Sequence, residues 1–321
     1  MNKKNFLLGL SLLALSLFGS VLASPFACGK TVPENAAAAT VIDFPNEQVG
    51  KFHFLRPGVR LLDDIIENKY YPAIGKVSVP AGKMLDLELN WVGGMNPQFL
   101  TKVPKSLIRR LTCRTMEIDN HGVASLTCQS EVHSLDIGDT DITDDIAPVL
   151  LKFPKLEALS LSCDEVGVKT IDAVCTMKKL VNLSVSTCSV PESTISQFGN
   201  LTELCKLELT GCRVTDGNLK AFEKLVNMQE LVLGRSNITD SGVPSLLKMR
   251  KLSRLNLSDS KVTARGLLLL KAHPALKYVL LRMSCYTPHE QAMLKSEVPQ
   301  IRFEEGTKAR DWDSQMFAPL H

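Results

Sequence analysis

The chain has 321 residues, of which 22% are charged, and its formal net charge is +3. Acidic and basic residues are mixed along the sequence, so the composition shows neither the basic field typical of nucleic-acid binding nor an acidic tail. We therefore expect no nucleic-acid partner. The length exceeds that of most single domains, although an array of repeats escapes this limit because its core lengthens with each unit.

The first residues have the pattern of a secretory signal. Lys3 and Lys4 precede an apolar stretch at residues 6–18, and small or branched residues at 21 and 23 favour cleavage after Ala23. Cleavage predicts an exported protein, periplasmic or secreted, that has lost a signal peptide at 1–23 and is not inserted in a membrane. Two alternatives remain open. Residues 6–23 nearly reach spanning length and would suit an uncleaved anchor helix. Lipid attachment at Cys28 is a weaker option, because Pro25-Phe26-Ala27 is a poor approach to a lipidated cysteine.

Residues 24–83 do not share the periodicity that follows them. Residues 24–40 are small, polar and rich in Ala, which predicts a loose lead-in. Short strands are indicated at 41–44, at 49–54 and from Gly75 onward, with a short helix at 61–67. We interpret this segment as an N-terminal lead-in and strand-rich cap over the first repeat, with a small binding module as the alternative.

From residue 84 to residue 297 the chain repeats one pattern nine times, with a constant spacing of 24 residues. Apolar residues fall at positions 1, 4, 6 and 11 of each copy, and usually at positions 16 and 19. The copies begin at Met84, Ile108, Val132, Leu156, Leu180, Leu204, Met228, Leu252 and Leu276. Positions 3 to 7 alternate as a strand does, and the later apolar positions suit a short helix, so each copy predicts a strand, a turn and a helix.

This LxxLxLxx[TSC]x[IV] pattern, followed in the clearest copies by a Thr-Asp turn, resembles the leucine-rich repeat family. The turn is most similar to that of exported bacterial members. The resemblance implies an α/β solenoid: a curved horseshoe with a parallel sheet on its concave face and short helices on its convex face. It also implies a protein without enzymatic activity or cofactor, which binds other macromolecules, usually proteins, on the concave face.

The Thr-Asp pair of the turn recurs at positions 12 and 13, as Thr143-Asp144, Thr215-Asp216 and Thr239-Asp240. Thr suits the residue that caps a helix, and Asp in the first turn favours the positive end of that helix. We therefore interpret these carboxylates as structural rather than catalytic. A calcium site in the acidic run at 139–145 is a weaker alternative, because its spacing differs from that of an EF-hand loop.

The cysteines and the C-terminal residues carry two further predictions. Cys188 and Cys212 occupy position 9, where other copies have Ser or Thr, so we interpret them as small buried residues, with a bridge between neighbouring repeats left open. Without a CxxC pair, a zinc site is not expected. Apolar residues at 298, 301 and 303 repeat the signature two residues early, which predicts a final edge strand at 298–303 within a C-terminal cap and tail at 298–321.

Positions 3, 5, 7 and 8 of successive strands form a ladder that faces away from the core, roughly 38 Å tall at ~4.8 Å per strand. The middle copies carry small neutral residues there, whereas the C-terminal copies gather aromatic and arginine side chains, the composition of interface hot spots. The predicted protein-binding residues are Arg235, Arg254, Tyr278, Leu280 and Arg282, with Trp91 as a candidate at the other end. The alternative is that Arg and Tyr only solvate the sheet while Trp91 packs under the cap.

We therefore expect a monomeric, non-enzymatic scaffold of the cell envelope or exterior that binds a protein partner on the concave face. Two alternatives are kept. A substrate adaptor or secreted effector for ubiquitin ligation would need a helical bundle before the repeats. A receptor for an envelope glycan would want several stacked aromatic side chains on the concave face.

Overall fold

The computed structural model of the chain describes residues 39–162, 165–187 and 189–306. The predicted signal peptide, Cys28, Cys188 and most of the predicted tail lie outside the described residues. Within them, no helix has the length and apolar character needed to cross a membrane.

Ten successive parallel strands form the body of the structure. They are β6 (Met84–Leu89), β7 (Ile108–Thr112), β8 (Ser134–Asp136), β9 (Ala158–Ser162), β10 (Asn182–Ser186), β11 (Lys206–Glu208), β12 (Glu230–Val232), β13 (Arg254–Asn256), β14 (Tyr278–Leu281) and β15 (Arg302–Glu305). Each strand pairs with the next in a register offset of one repeat; Leu183, for example, faces Leu207. The predicted period therefore sets the pairing of the sheet.

Short helices connect these strands. They are α1 (Trp91–Met95), α2 (Asn120–Ser125), α3 (Ala147–Leu150), α4 (Val168–Val174), α5 (Glu192–Ser196), α6 (Asp216–Phe222), α7 (Val243–Leu246), α8 (Ala264–Leu268) and α9 (Pro288–Glu297). Because every strand runs in the same direction, all loops from helix to strand lie at one edge of the sheet, the amino edge. All loops from strand to helix lie at the other, the carboxyl edge.

The core lies between the sheet and the helices. Leucines at positions 4 and 6, such as Leu207 and Leu209, are fully buried, and so is Phe222 on the helix side. Each such side chain contributes about 1.5–3 kcal/mol of burial free energy. Cys113 occupies position 6 as a buried hydrophobic residue, and burial raises the pKa of its thiol.

The cap begins with β1 (Thr40–Asp43), β2 (Gly50–Arg56), β3 (Ile65–Ile66), β4 (Tyr71–Pro72) and β5 (Lys76–Val79). β2 pairs antiparallel with β6 and so covers the first edge of the repeat sheet. Phe52 stacks on Tyr71, with ring centroids 5.5 Å apart, and packs with Phe44. Strands β1, β2 and β5 were predicted, but β3 and β4 were not, and the expected helix at 61–67 is only a single turn at Leu61–Asp63 followed by β3.

The last strand differs from the prediction. β15 covers Arg302–Glu305, and Phe303 pairs with Val279, so the offset stays at 24 residues and does not slip. The longer helix α9 explains the error. It ends at Glu297, so Val298 and Ile301 are buried in the turn after the helix rather than within a strand.

The turn carboxylates stabilise the following repeat rather than only their own helix. Asp144 accepts hydrogen bonds from the backbone N–H groups of Gly167 and Thr170, at 3.0 and 2.8 Å. Asp240 accepts from Thr263 in the same way. Burial alone would raise the pKa of Asp144, but the bonds from Thr170 and its neighbours outweigh it and lower that pKa. This is a structural use of the acidic run, and the described residues contain no cluster of three or more His, Cys, Asp or Glu suited to a metal ion.

The described cysteines differ in whether they form a disulfide bond. Cys212 is disulfide-bonded. Cys188, the partner considered from the sequence, lies outside the described residues. Cys113, Cys128, Cys175, Cys205 and Cys285 are free.

Candidate protein-binding site

The structure divides the predicted binding residues between the two ends of the strands. Arg254 and Tyr278 occupy position 3, near the amino edge, and face each other across β13 and β14. Arg235 and Arg282 lie at positions 8 and 7, near the carboxyl edge. Position 3 and position 8 are about 16 Å apart along an extended strand. The residues therefore do not form one compact patch.

Leu280 lies between these two groups and is fully buried. It is absent from the core cluster on the helix side, so the predicted sheet face is correct. Its exposure, however, is not as predicted, because alternation in sequence identifies the face of a sheet but not whether that face is covered. We therefore remove Leu280 from the residues available to a partner.

Most other residues at positions 3 and 5 are likewise buried, although they lie on the predicted face of the sheet. Ser160, Asn182, Lys206, Glu208 and Glu230 are all buried on the ladder side of the sheet. Contacts between neighbouring strands contribute to this burial; Ser184 Oγ, for example, donates to Glu208 Oε2 at 3.0 Å. What the ladder exposes is mainly the row at positions 7 and 8, along the carboxyl edge.

Arg254 is already engaged in an ion pair. Its guanidinium contacts the buried carboxylate of Glu230, whose other basic neighbour is Lys206, with Nζ 4.0 Å from the carboxylate. Burial lowers the pKa of Lys206 to about 8, although Glu230 opposes that shift. Removing Arg254 would leave Glu230 undercompensated, and disrupting such a buried pair costs several kcal/mol. Arg254 is therefore a poor residue with which to test binding, because its loss also destabilises the fold.

Position 8 has an unusual backbone in every described repeat from the second to the eighth. Thr115, Asp139, Thr187, Arg235 and Asp259 adopt φ angles between +55° and +58°. Gly211 has the equivalent angle of +77°. The left-handed region favours glycine, and a bulky residue there costs of order 1 kcal/mol. Arg235 is thus exposed on a strained backbone position, and its side chain has no ion pair within the described residues.

Arg282 and Tyr278 complete the exposed surface of the last repeats. The side chain of Arg282 is 57% exposed and forms an ion pair with Asp259, with Nε 2.8 Å from Oδ1. Such an exposed pair contributes little stability, so Arg282 is free to exchange Asp259 for a partner's carboxylate. Tyr278 is 38% exposed.

Trp91 is not packed under the cap, contrary to the alternative considered from the sequence. It begins α1 with 60% of its surface exposed. The helix is held close to the cap: a Cβ on Gly93 would lie 2.1 Å from the carbonyl oxygen of Val49. Trp91 lines an open cavity of about 450 Å³ with Lys51, Glu88 and Arg114.

A second feature of the cap was not predicted. Residues 58–64, here called the cap segment, fold onto the amino edge of copies two to four. The buried carboxylate of Asp64 receives Arg109 Nε at 3.1 Å, and Leu61 N donates to Glu157 Oε2 at 2.8 Å. Arg110 Nη2 donates to Leu61 O at 2.9 Å. The cap segment therefore covers position 3 of copy two at the N-terminal end of the ladder, and the C-terminal repeats remain the better candidate.

Comparison with known proteins adds little beyond the fold. No protein-family model matches the chain, and no curated protein matches it. Among solved structures, an internalin of Listeria monocytogenes, inlF, is similar at 16% identity with a TM-score of 0.43, over 57% of this chain and 56% of its own. Internalin C2 of the same organism is similar at 18% identity with a TM-score of 0.40, over 55% of this chain and 82% of its own.

The chain thus spans little more than half the length of the first of these structures. The fold class follows from the molecule itself. Repeats of 24 residues, each with one parallel strand and one short helix around a leucine core, define an α/β leucine-rich repeat solenoid.

Proposed function

We propose that the chain is an exported, non-enzymatic scaffold that binds a protein partner through its C-terminal repeats, on the ladder side of the sheet. The observation that carries the proposal is the exposure of Arg235 and Arg282 near the carboxyl edge, and of Tyr278 near the amino edge, of the same C-terminal repeats. These exposed arginine and tyrosine side chains have little or no role in the fold, which is typical of residues that bind a partner.

The signs of charge indicate the chemistry of the partner. Arg235 makes no ion pair with any described residue, and Arg282 makes only an exposed one, so a partner that presents carboxylates to the arginines and an apolar group to Tyr278 would fit these repeats. Export is supported by the basic and apolar pattern of residues 1–23. We further propose that the scaffold acts as a monomer and needs no cofactor.

The test is capture of a partner by the full chain, with cross-linking in an envelope extract and identification of the cross-linked protein. Arg235→Ala, Tyr278→Ala and Arg282→Ala together should abolish capture of that protein and leave thermal unfolding nearly unchanged. A control with the same three residue types, Arg213→Ala, Tyr70→Ala and Arg265→Ala, should retain capture. Undiminished capture by the first triple variant would refute the assignment.

A glycan receptor is the second candidate, favoured by one observation. The exposed indole of Trp91 lies in a cavity with Lys51, Glu88 and Arg114, a mixture of stacking surface and polar groups. Titration with envelope oligosaccharides should then change the tryptophan fluorescence of the wild type and not of Trp91→Phe. The ubiquitin-ligation alternative is not favoured, because residues 40–79 contain strands β1 to β5 where an adaptor would need a helical bundle.

A further inference from the structure

Basic residues collect at the amino edge of the sheet. The loops that follow the helices of copies three to eight carry six exposed basic residues, here called the basic edge: Lys152, Lys179, Lys224, Lys248, Arg250 and Lys277. Four further lysines on these loops have partners. The same loops carry only three acidic residues, of which Glu157 and Glu223 are bonded within the fold. The carboxyl edge is mixed: copy three exposes Asp139, Asp141 and Asp145 there, whereas copies six to eight expose Arg213, Arg235, Lys261 and Arg265.

Helix capping accounts for the turn carboxylates at the carboxyl edge but not for the residues of the basic edge. Carboxylates near helix N-termini and cations near helix C-termini are both favourable, and the turn carboxylates do bond helix N–H groups, as Asp144 does. On the other edge, Lys178 donates to the carbonyl of Cys175. The six residues of the basic edge make no side-chain hydrogen bond or ion pair with any described residue. Their positive charge therefore makes no specific side-chain contact within the described fold.

Apolar groups are exposed among these cations. Leu151, beside Lys152, is 52% exposed, and Val226, two residues after Lys224, is 56% exposed. An open cavity of about 340 Å³ lies on the same edge. Apolar Leu151, Pro154 and Met177 line it together with Lys178 and Lys179. Apolar side chains set in a row of lysines are the combination found on surfaces that rest on lipid headgroups.

We propose that the basic edge docks on a membrane surface that contains anionic lipid. The lysines and Arg250 contact lipid phosphates, and Leu151 and Val226 enter the headgroup region. A single-stranded nucleic acid fits less well, because Tyr278, next to Lys277, is the one exposed aromatic side chain beside the described basic edge, too few to stack successive bases, and lysine outnumbers arginine. The docking edge is opposite to Arg235 and Arg282, so a membrane-bound chain keeps its carboxyl edge open to a protein partner. The inference does not depend on the proposed function.

The test is sedimentation of the full chain with vesicles. One set contains equal parts of phosphatidylcholine and phosphatidylglycerol, and the other contains phosphatidylcholine alone. The wild type should sediment with the anionic set, and less so as salt is raised. The zwitterionic set measures any binding through the N-terminal apolar stretch at residues 6–18, which all variants share. Reversing three charges, with Lys152→Glu, Lys179→Glu and Arg250→Glu, should weaken binding at least about tenfold.

The matched control reverses three exposed basic residues at the carboxyl edge, Arg213→Glu, Lys261→Glu and Arg265→Glu. It changes net charge equally and should weaken binding less than about threefold if the position of the charges matters. If charge reversal prevents folding, the milder set Lys152→Gln, Lys179→Gln and Lys248→Gln replaces it, with the same direction expected. Circular dichroism and the unfolding temperature verify that each variant is folded.

Leu151→Ser with Val226→Ser should weaken vesicle binding at high salt, where the apolar contribution dominates. Three results would overturn the proposal. The first is equal binding of the wild type to both vesicle sets, and the second is equal loss in the two charge-reversal variants. The third is tight binding to heparin together with vesicle binding that ignores the Leu151 and Val226 changes, which would indicate a soluble polyanion as the ligand.

Discussion

The carboxylate of Asp216 accepts two hydrogen bonds from Thr239, the turn threonine of the next repeat. The backbone N–H of Thr239 donates at 2.9 Å and its hydroxyl at 2.6 Å. Asp240 and Thr263 repeat this arrangement one copy further on. One exception is consistent with it. Val168 stands where Asp would, and the residue it would bond is Pro191, which has no N–H to donate. The turn aspartates therefore link consecutive repeats.

Replacing Asp216 by Ala should lower the free energy of unfolding by about 1–2 kcal/mol, because it removes a charged acceptor from the start of the next turn. Urea denaturation measures the change. The control is Asp145→Ala, which loses only an exposed ion pair with Lys169 and should cost less than about 0.5 kcal/mol. Equal effects at the two positions would contradict the link between repeats.

Gly266 should be intolerant of Ala although it lies in helix α8. Ala is normally preferred over Gly in a helix by about 1 kcal/mol. Here a Cβ would lie 2.1 Å from Asp240 Oδ1, so the substitution must displace the carboxylate that bonds Thr263. We expect Gly266→Ala to destabilise the wild type.

The same substitution should become neutral or stabilising when Asp240 is already Ala. A double-mutant cycle in urea measures this coupling. Additive effects of Gly266→Ala and Asp240→Ala would show that the close approach of Gly266 to the Asp240 carboxylate does not affect the free energy of unfolding.

Arg235→Gly should separate stability from binding. Glycine relieves the left-handed backbone at φ +56°, so the free energy of unfolding should rise or stay within about 0.5 kcal/mol of the wild type. Partner capture should fall, because the exposed guanidinium is lost. A variant that captures the partner normally would show that Arg235 is not a contact.

The contact between the cap segment and the carboxylate of Glu157 should weaken in acid. Burial tends to raise the pKa of Glu157, but hydrogen bonds from His133 and from the backbone N–H of Leu61 outweigh it, so the folded-state pKa is lowered. A lowered pKa means that the ionised form stabilises the fold above the unfolded-state value near about 4.3, and that this stability is lost as pH falls through the folded value.

Comparison of the wild type with Glu157→Gln measures this contribution. The variant should be less stable than the wild type at neutral pH, and the difference should shrink as pH falls toward about 3. Hydrogen exchange at Leu61 reports the cap segment directly. A difference in stability that does not change with pH would mean that the charge of Glu157 is not what holds the segment.

The period of the sequence was sufficient to predict the solenoid, the strand register and the buried positions, because leucine spacing acts locally and repeats. The longer contacts were not predictable in the same way. Asp216 was assigned to its own helix because a local pattern cannot show a bond to a residue 23 positions away.

The placement of charged residues on the two edges and the exposure of side chains on the sheet were also not predictable, because both depend on the folded arrangement. Lys152 and Asp145 are close in sequence, but the helix between them places them on opposite edges of the sheet, so a row of exposed bases at one edge is not visible in a mixed sequence. Leu280 lies on the predicted face, and only the three-dimensional structure shows it to be buried. For Trp91, the structure decided between the two interpretations in favour of exposure.

The central claim is that a protein partner binds the C-terminal repeats, and amide hydrogen exchange of the full chain with and without the identified partner tests it most directly. We predict new protection at residues 233–236 and 278–284, with little change in helices α6 to α8 on the other side of the sheet. Protection confined to those helices, or to the cap around Trp91, would contradict the claim.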